Sequence, residues 1–315
     1  MSAMSSPGLR SYLEDVLASV RDVEEGEPHE LPVHAQADTS RTAVALVDLD
    51  GTVHAAGDAD HGFPIQSMSK ALVYGLAIES LGVEEVHRHI DVEPSGDAFN
   101  RISLDDGSNR PANPMINAGA ITAHSLVPGP DAPQRFERIR DLLSTMAGRR
   151  LEINEDCYSQ EIGGAHRNLG IAHMVQALSE LPDDPHDVVD GYTRQCALEV
   201  STIELARIGA TLAGGGVLPG TRERVLREDT CRQVMSVMLT CGMYDSAGDW
   251  VSTVGIPAKS GISGGILGAV PRRCGVATYS PRLDAHGNPV RGILVLERLS
   301  PDLDLHLMRA PRPND

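Results

Sequence analysis

Ser67 stands three residues before Lys70 in "FPIQSMSKALVYGLAIESLG" (63–82), and that lysine is one of only two in the chain. The other, Lys259, is followed by Ser260 and Gly261; the rest of the 27 basic residues are arginines. A guanidinium stays protonated under working conditions, whereas a buried ammonium gives up its proton. A lysine retained in an arginine-rich chain is therefore a candidate proton acceptor or compact charge. Residues i and i+3 of a helix share a face, and a serine at a helix start meets N–H groups and a dipole that favour developing negative charge. A serine hydroxyl becomes an effective nucleophile when a neighbour takes its proton, which a neutral lysine one turn on can do. The ordinary alternative is a serine N-cap followed by a lysine on a helix face. Ser69, the rival hydroxyl, points away from Lys70 by its spacing.

The same S-x-x-K spacing occurs in serine β-lactamases and penicillin-binding proteins, and "Lys259-Ser-Gly261" resembles the K-[ST]-G strand of that superfold. A positive charge beside the site and a glycine that lets substrate lie against the strand are the physical needs there; a tight Ser-Gly turn is the plainer account. Further strings narrow the superfold. "GDADHGFPIQSMSK", "PANPMINAGAI" (111–121), "QEIGGAHRN" (160–168), "DGYTRQCALEV" (190–200), "LAGGGVLP" (212–219), "CGMYDSAGDW" (241–250) and "VGIPAKSGISGGI" (254–266) closely resemble the serine-dependent glutaminases, in colinear order over about 57–292.

The resemblance implies Ser67 as nucleophile and Lys70 as its activating base, with Tyr244, the alternative immediate base, and Lys259 as further catalytic groups. Gln66, Asn117, Glu161, Asn168, Tyr192, Tyr244 and Ile262 match substrate-contacting positions. The chemistry agrees with L-glutamine: an α-ammonium needs a carboxylate, which Glu161 supplies, and the α-carboxylate and amide need neutral donors, which Asn and Tyr supply. The backbone N–H groups of Ser67 and Ile262 would form an oxyanion hole. Three departures stand out. Ile262 replaces the usual Val, Ser263 the usual Gly, and "GEPHELPVHA" lacks the tyrosine that closes over substrate in the family's "A-D-Y-I-P" segment. A weaker KM for glutamine is the expectation from that last change.

These residues need a scaffold. Residues 9–23 have helical apolar spacing, and "EEGEPHELPVHAQADTS" reads as a loop. Two apolar runs around Asp50-Gly51 signal a hairpin. Ser67–Ser80 reads as a helix stopped by Gly82, and roughly 83–250 is mostly helical. "GVATYSPRL" and "PVRGILVLERL" around "DAHGN" read as a second hairpin, with a closing helix near 300–309. Strands at both ends and helices between them predict an α+β, β-lactamase-like fold: one antiparallel sheet built from both termini with flanking helices and an inserted helical lobe. The expected division of a single domain over 1–315 is a sheet lobe from about 1–66 and 251–315 and a helical lobe from about 67–250.

Composition excludes several partners. A formal net charge of −17 and a pI near 5.1 argue against nucleic acid or an anionic membrane surface, which need a basic face. Five widely spaced cysteines without a C-x-x-C pair read as free thiols rather than a disulfide framework or zinc site. "MSAMSSPGLR" shows no leader pattern, and no run approaches the ~18 apolar residues of a membrane span. The expectations are a cytoplasmic enzyme without metal or organic cofactor and, from the resemblance, a homo-oligomer (dimer or tetramer). Three rivals remain. Another S-x-x-K hydrolase would act on β-lactams or cell-wall peptides. A binding protein on this fold would lack the nucleophile or base. A Mg²⁺ phosphatase would use Asp48 and Asp50 of "VALVDLDGT" on a parallel sheet, against which Asp-Gly at a hairpin tip is the better account.

Overall fold

The computed structural model describes residues 8–95, 104, 107–179 and 183–309; the first seven residues, on which the absence of a leader was read, lie outside them. The N-terminal part holds helices α1 (Leu9–Val20) and α2 (Pro32–Ala35) and strands β1 (Ala43–Asp48), β2 (Val53–Gly57) and β3 (Phe63–Pro64). Helices α3 (Ser69–Leu81), α4 (Val83–His89), α5 (Asn117–Leu126), α6 (Ala132–Ala147), α7 (Glu155–Gly163), α8 (His166–Ser179) and α9 (Pro185–Cys196) follow. After β4 (Glu199–Val200) come α10 (Thr202–Ala213), α11 (Glu228–Cys241), α12 (Ala247–Thr253), β5 (Ala258–Ser260), β6 (Gly265–Val270), β7 (Cys274–Tyr279) and α13 (Val290–Asp302).

The main sheet has the order β2-β1-β7-β6-β5, and every pairing is antiparallel. Asp50-Gly51 closes the first hairpin, with Val47 opposite Val53 and Gly51 at φ +89°, as its turn chemistry requires. Both faces of the sheet are covered. Val44, Leu46, Ile266 and Val276 pack against Leu13 and Val16 of α1 and Val295 and Leu299 of α13. Ala45, Val47, Leu267 and Ala277 lie in the core on the face that α10 covers. Burial on both sides explains why β6 and β7 read as unbroken runs of small and apolar residues rather than as alternations. Helix α10, drawn from the middle of the chain, lies directly on β7 and opens with a capping box of Ser201 and Glu204.

Four local expectations are corrected. The segment 289–299 is not a returning strand but most of α13. The turn "DAHGN" does close, with Asp284 N donating to Asn288 O at 2.8 Å and Leu283 bridging Pro289. Beyond it, Gly292, Val295, Leu296 and Leu299 bury one helical face, because their spacing of three and four fits 3.6 residues per turn rather than 2. The closing helix expected near 300–309 is that helix's end, followed by turns. The first helix stops at Val20 rather than 23. The loop at 24–40 contains α2, which Pro32 initiates at its first position.

Candidate active site

Ser67 sits where β3 gives way to α3. Strand β3 pairs with β4 (Phe63 opposite Val200), Ile65 N donates to Leu198 O at 2.7 Å, and Gln66–Met68 then form a single 3₁₀ turn. The α-helix therefore starts at Ser69, not Ser67. The spacing keeps its meaning, since residues three apart eclipse in a 3₁₀ turn. Ser67 is 7 % exposed. Ser69 turns back to donate to Gln66 O at 2.8 Å, away from Lys70 as its spacing predicts. Gln66, at φ +50°, and Tyr244, at φ +51°, are two non-glycine residues in the left-handed region. Both bracket the serine, and such strain persists where the surroundings over-determine it.

Both lysines are fully buried. Lys70 Nζ donates to Asn117 Oδ1 at 2.7 Å and to Met115 O at 3.2 Å. Asn113 shapes that carbonyl's turn by accepting from Met115 N and Ile116 N. Burial lowers the Lys70 pKa from 10.5 to about 8, opposed by Cys196 and Glu161. Lys259, on edge strand β5, is likewise held well below its ordinary value, by burial and then by repulsion from Lys70. Its Nζ donates to Ser260 O at 2.7 Å and lies 3.9 Å from the Tyr244 ring centroid, a cation–π distance. The Tyr244 hydroxyl donates to Ser260 O at 3.3 Å. Burial pushes its phenol up to about 12, against the hydrogen-bonding influence of Ser67 and Ser260. Asn288, at the end of the "DAHGN" turn, ties this group together: it accepts from Ser260 Oγ at 2.6 Å and donates to Met243 O.

The remaining predicted residues gather around the same point. Asn117 Nδ2 donates to Asn168 Oδ1 at 3.1 Å, linking α5 to α8 and, through Oδ1, to Lys70. Gln66 Nε2 donates to Glu161 Oε1 at 2.6 Å. Burial raises the Glu161 carboxyl, while Gln66, Cys157 and Lys70 oppose the rise. Tyr192, on α9, is 4 % exposed and within electrostatic reach of Cys196, Glu161 and Tyr244. Ile262 occupies the turn between β5 and β6, and its N–H has no hydrogen-bond partner among the described residues. Gly261 lets this turn run against Ser67's neighbours: a Cβ there would meet Met68 Cε at 3.2 Å and Gln66 Cβ at 3.4 Å.

Two residues escaped the sequence reading. His34 of α2 places Nε2 3.0 Å from Gln66 Nε2, and Cys157 of α7 places Sγ 3.2 Å from the same nitrogen. Burial lowers His34 to about 4, so its imidazole is neutral near pH 7. Nothing in "LPVHAQ" signals this, because α2 reaches the site only by docking on α7, where Val33 N donates to Gln160 Oε1 at 2.8 Å. Asp48 and Asp50, in contrast, sit at the β1–β2 hairpin, where Asp48 meets His54 at 3.4 Å. An all-antiparallel sheet gives them no place in a phosphatase site.

A hydroxyl at a helix entrance, a buried amine of lowered pKa, a phenol beside them and, in the β5–β6 turn, a backbone N–H without a partner among the described residues are together the equipment for nucleophilic acyl transfer. The family model described as Glutaminase matches residues 27–308. The chain is 47% identical over 302 residues to a glutaminase of Corynebacterium efficiens, covering 95% of this chain and 71% of that one. To the Corynebacterium glutamicum glutaminase it is 48% identical, covering 94% and 72%. Among solved structures, Mglu in its glutamate form superposes with a TM-score of 0.93 at 44% identity, covering 98% of this chain and 71% of that chain.

Proposed function

The chain belongs to the glutaminase family, and from that premise we propose that this hydrolase cleaves the side-chain amide of L-glutamine through a covalent γ-glutamyl-Ser67 ester. The observation that carries the proposal is the state of Lys70, fully buried, lowered to about 8 and pinned by Asn117 and Met115 one turn from Ser67. Neutral Lys70 takes the Ser67 proton as Oγ attacks the amide carbon. The oxyanion forms against the N–H groups of Ser67 and Ile262. The carbon–nitrogen bond then breaks, and Tyr244 passes a proton to the departing ammonia, with the Lys259 amine held 3.9 Å from its ring centroid. Water, deprotonated by the same groups, cleaves the ester to L-glutamate and restores Ser67.

Recognition follows charge. The carboxylate of Glu161 binds the α-ammonium, with Gln66 beside it, and Asn117, Asn168 and Tyr192 offer neutral donors to the α-carboxylate. The test is ammonia release from L-glutamine, without added metal, by the parent and by Ser67→Ala. Hydroxylamine added to the parent should divert turnover to γ-glutamyl hydroxamate, as an acyl-enzyme requires. Turnover that survives in Ser67→Ala would refute the nucleophile.

A further inference from the structure

Three donor atoms converge beside the substrate pocket: His34 Nε2, Cys157 Sγ and Glu161 Oε1, each from a separate chemical class and all within 4.8 Å of one another. At their centre is one nitrogen, the side-chain amide of Gln66, at 3.0, 3.2 and 2.6 Å from them. An amide nitrogen carries two protons, so it can donate to at most two of these three neighbours. We propose that this cage is a binding site for a single zinc-class divalent ion, ligated by His34, Cys157 and Glu161, with the Gln66 side chain swung out of its centre.

The geometry fits the ion. Zinc holds nitrogen and oxygen at about 2.0 Å and thiolate sulfur at about 2.3 Å, so its tetrahedral ligands stand roughly 3.3–3.7 Å apart. Cys157 Sγ and Glu161 Oε1 are already 3.8 Å apart, because they lie four residues apart on α7 and share its face. His34 comes from α2, a one-turn helix docked on α7, so small closing movements suffice. A mixed N, S, O set suits zinc or cobalt and disfavours magnesium or calcium, which take oxygen. Glu161 is only partly buried, which gives the ion an approach, and the fourth position is left to water. On binding, the Cys157 thiol releases its proton to solvent and its sulfur becomes a ligand.

Such an ion would take the carboxylate that the proposed function assigns to the substrate ammonium. Resting on that reading, the site makes the enzyme reversibly inhibited by zinc, in competition with glutamine. The experiment uses the full chain, reduced and then freed of thiol. Titration with Co²⁺ should give a thiolate-to-cobalt charge-transfer band in the near-ultraviolet, and calorimetry with Zn²⁺ should give one site. Cys157→Val should abolish the band, and both Cys157→Val and His34→Ala should weaken zinc binding by about a hundredfold, at least the effect of losing an outer-shell partner. Cys196→Ser should keep the band, and melting curves verify that each variant is folded. Absence of the band in the parent, or its persistence in Cys157→Val, overturns the site. In kinetics, zinc should raise the apparent KM without lowering kcat, reversibly with a chelator, and Cys157→Val should need about a hundredfold more zinc. A cobalt band with KM unmoved by the metal upholds the site and refutes the role of Glu161. A cobalt band in a protein that does not hydrolyse glutamine upholds the site and refutes the proposed reaction.

Discussion

At the scale of the residue, the chemistry turns on where one proton resides. Lys70 is held neutral above about pH 8 because burial outweighs the attraction of Cys196 and Glu161. Its protonated form cannot accept the Ser67 proton, so kcat/KM should rise about tenfold per pH unit below that pH and level off above it. A pH–rate profile with no limb near 8 would place the base elsewhere. Lys70→Arg keeps the charge and the donors to Met115 and Asn117 but cannot deprotonate. Its kcat should fall by about a thousandfold, the scale of general-base loss, and the limb near pH 8 should vanish with it. A near-normal rate in that variant would contradict the assignment. Both lysines stood out in the sequence because arginine filled every other Lys/Arg position. Their burial did not, since it depends on elements far away in the chain.

At the scale of the element, close approach does most of the positioning. Helix α10 presses onto the sheet at Gly209, Gly268 and Gly275. A Cβ on Gly275 would lie 1.9 Å from Ala206 O and 2.1 Å from Ala210 N, and one on Gly209 would lie 2.3 Å from Gly268 O. Those contacts are with backbone, which cannot turn aside. Gly275→Ala should therefore cost about 3 kcal/mol or more, at or beyond the upper range for overpacking, read as a lowered denaturation midpoint. Equal stability would mean that α10 sits farther from β7 than the structure places it. Helix α13 teaches the complementary lesson. "PVRGILVLERL" is rich in β-branched and leucine residues, and its composition alone supports a strand. Its buried positions follow a helical period only once the sheet face beneath it is known. The hairpin at Asp50-Gly51, with its turn residues local in sequence, needed no such help.

At the scale of the whole molecule, charge and architecture act together. With a formal net charge of −17, self-repulsion opposes the compact state. Salt shortens the Debye length from about 30 Å at 0.01 M to about 3 Å at 1 M. The melting temperature should rise across that range in sodium chloride. A flat or falling curve would show that the surface ion pairs, such as Arg150 with Glu137 and Asp141, neutralise the field locally. Among the described residues, no helix is long and apolar enough to cross a membrane. The site itself lies where edge strand β5 and the turn at Tyr244 meet the entrance of α3 and the helices α5, α7, α8 and α9, so its groups come from seven stretches of chain.

The sequence by itself determined the family, through family-specific strings in colinear order, and singled out a serine three residues before a scarce lysine and a second lysine in a K-S-G string. It also determined the antiparallel α+β class, because turn residues and apolar periods act over a few neighbours. The tertiary structure alone decided that both lysines are dehydrated and that Gln66 and Tyr244 take left-handed backbone around Ser67. It alone decided that His34 and Cys157 converge with Glu161 on one amide nitrogen. Burial and convergence are properties of segments that here stand 32 to 95 residues apart, and no local pattern encodes which of them will meet.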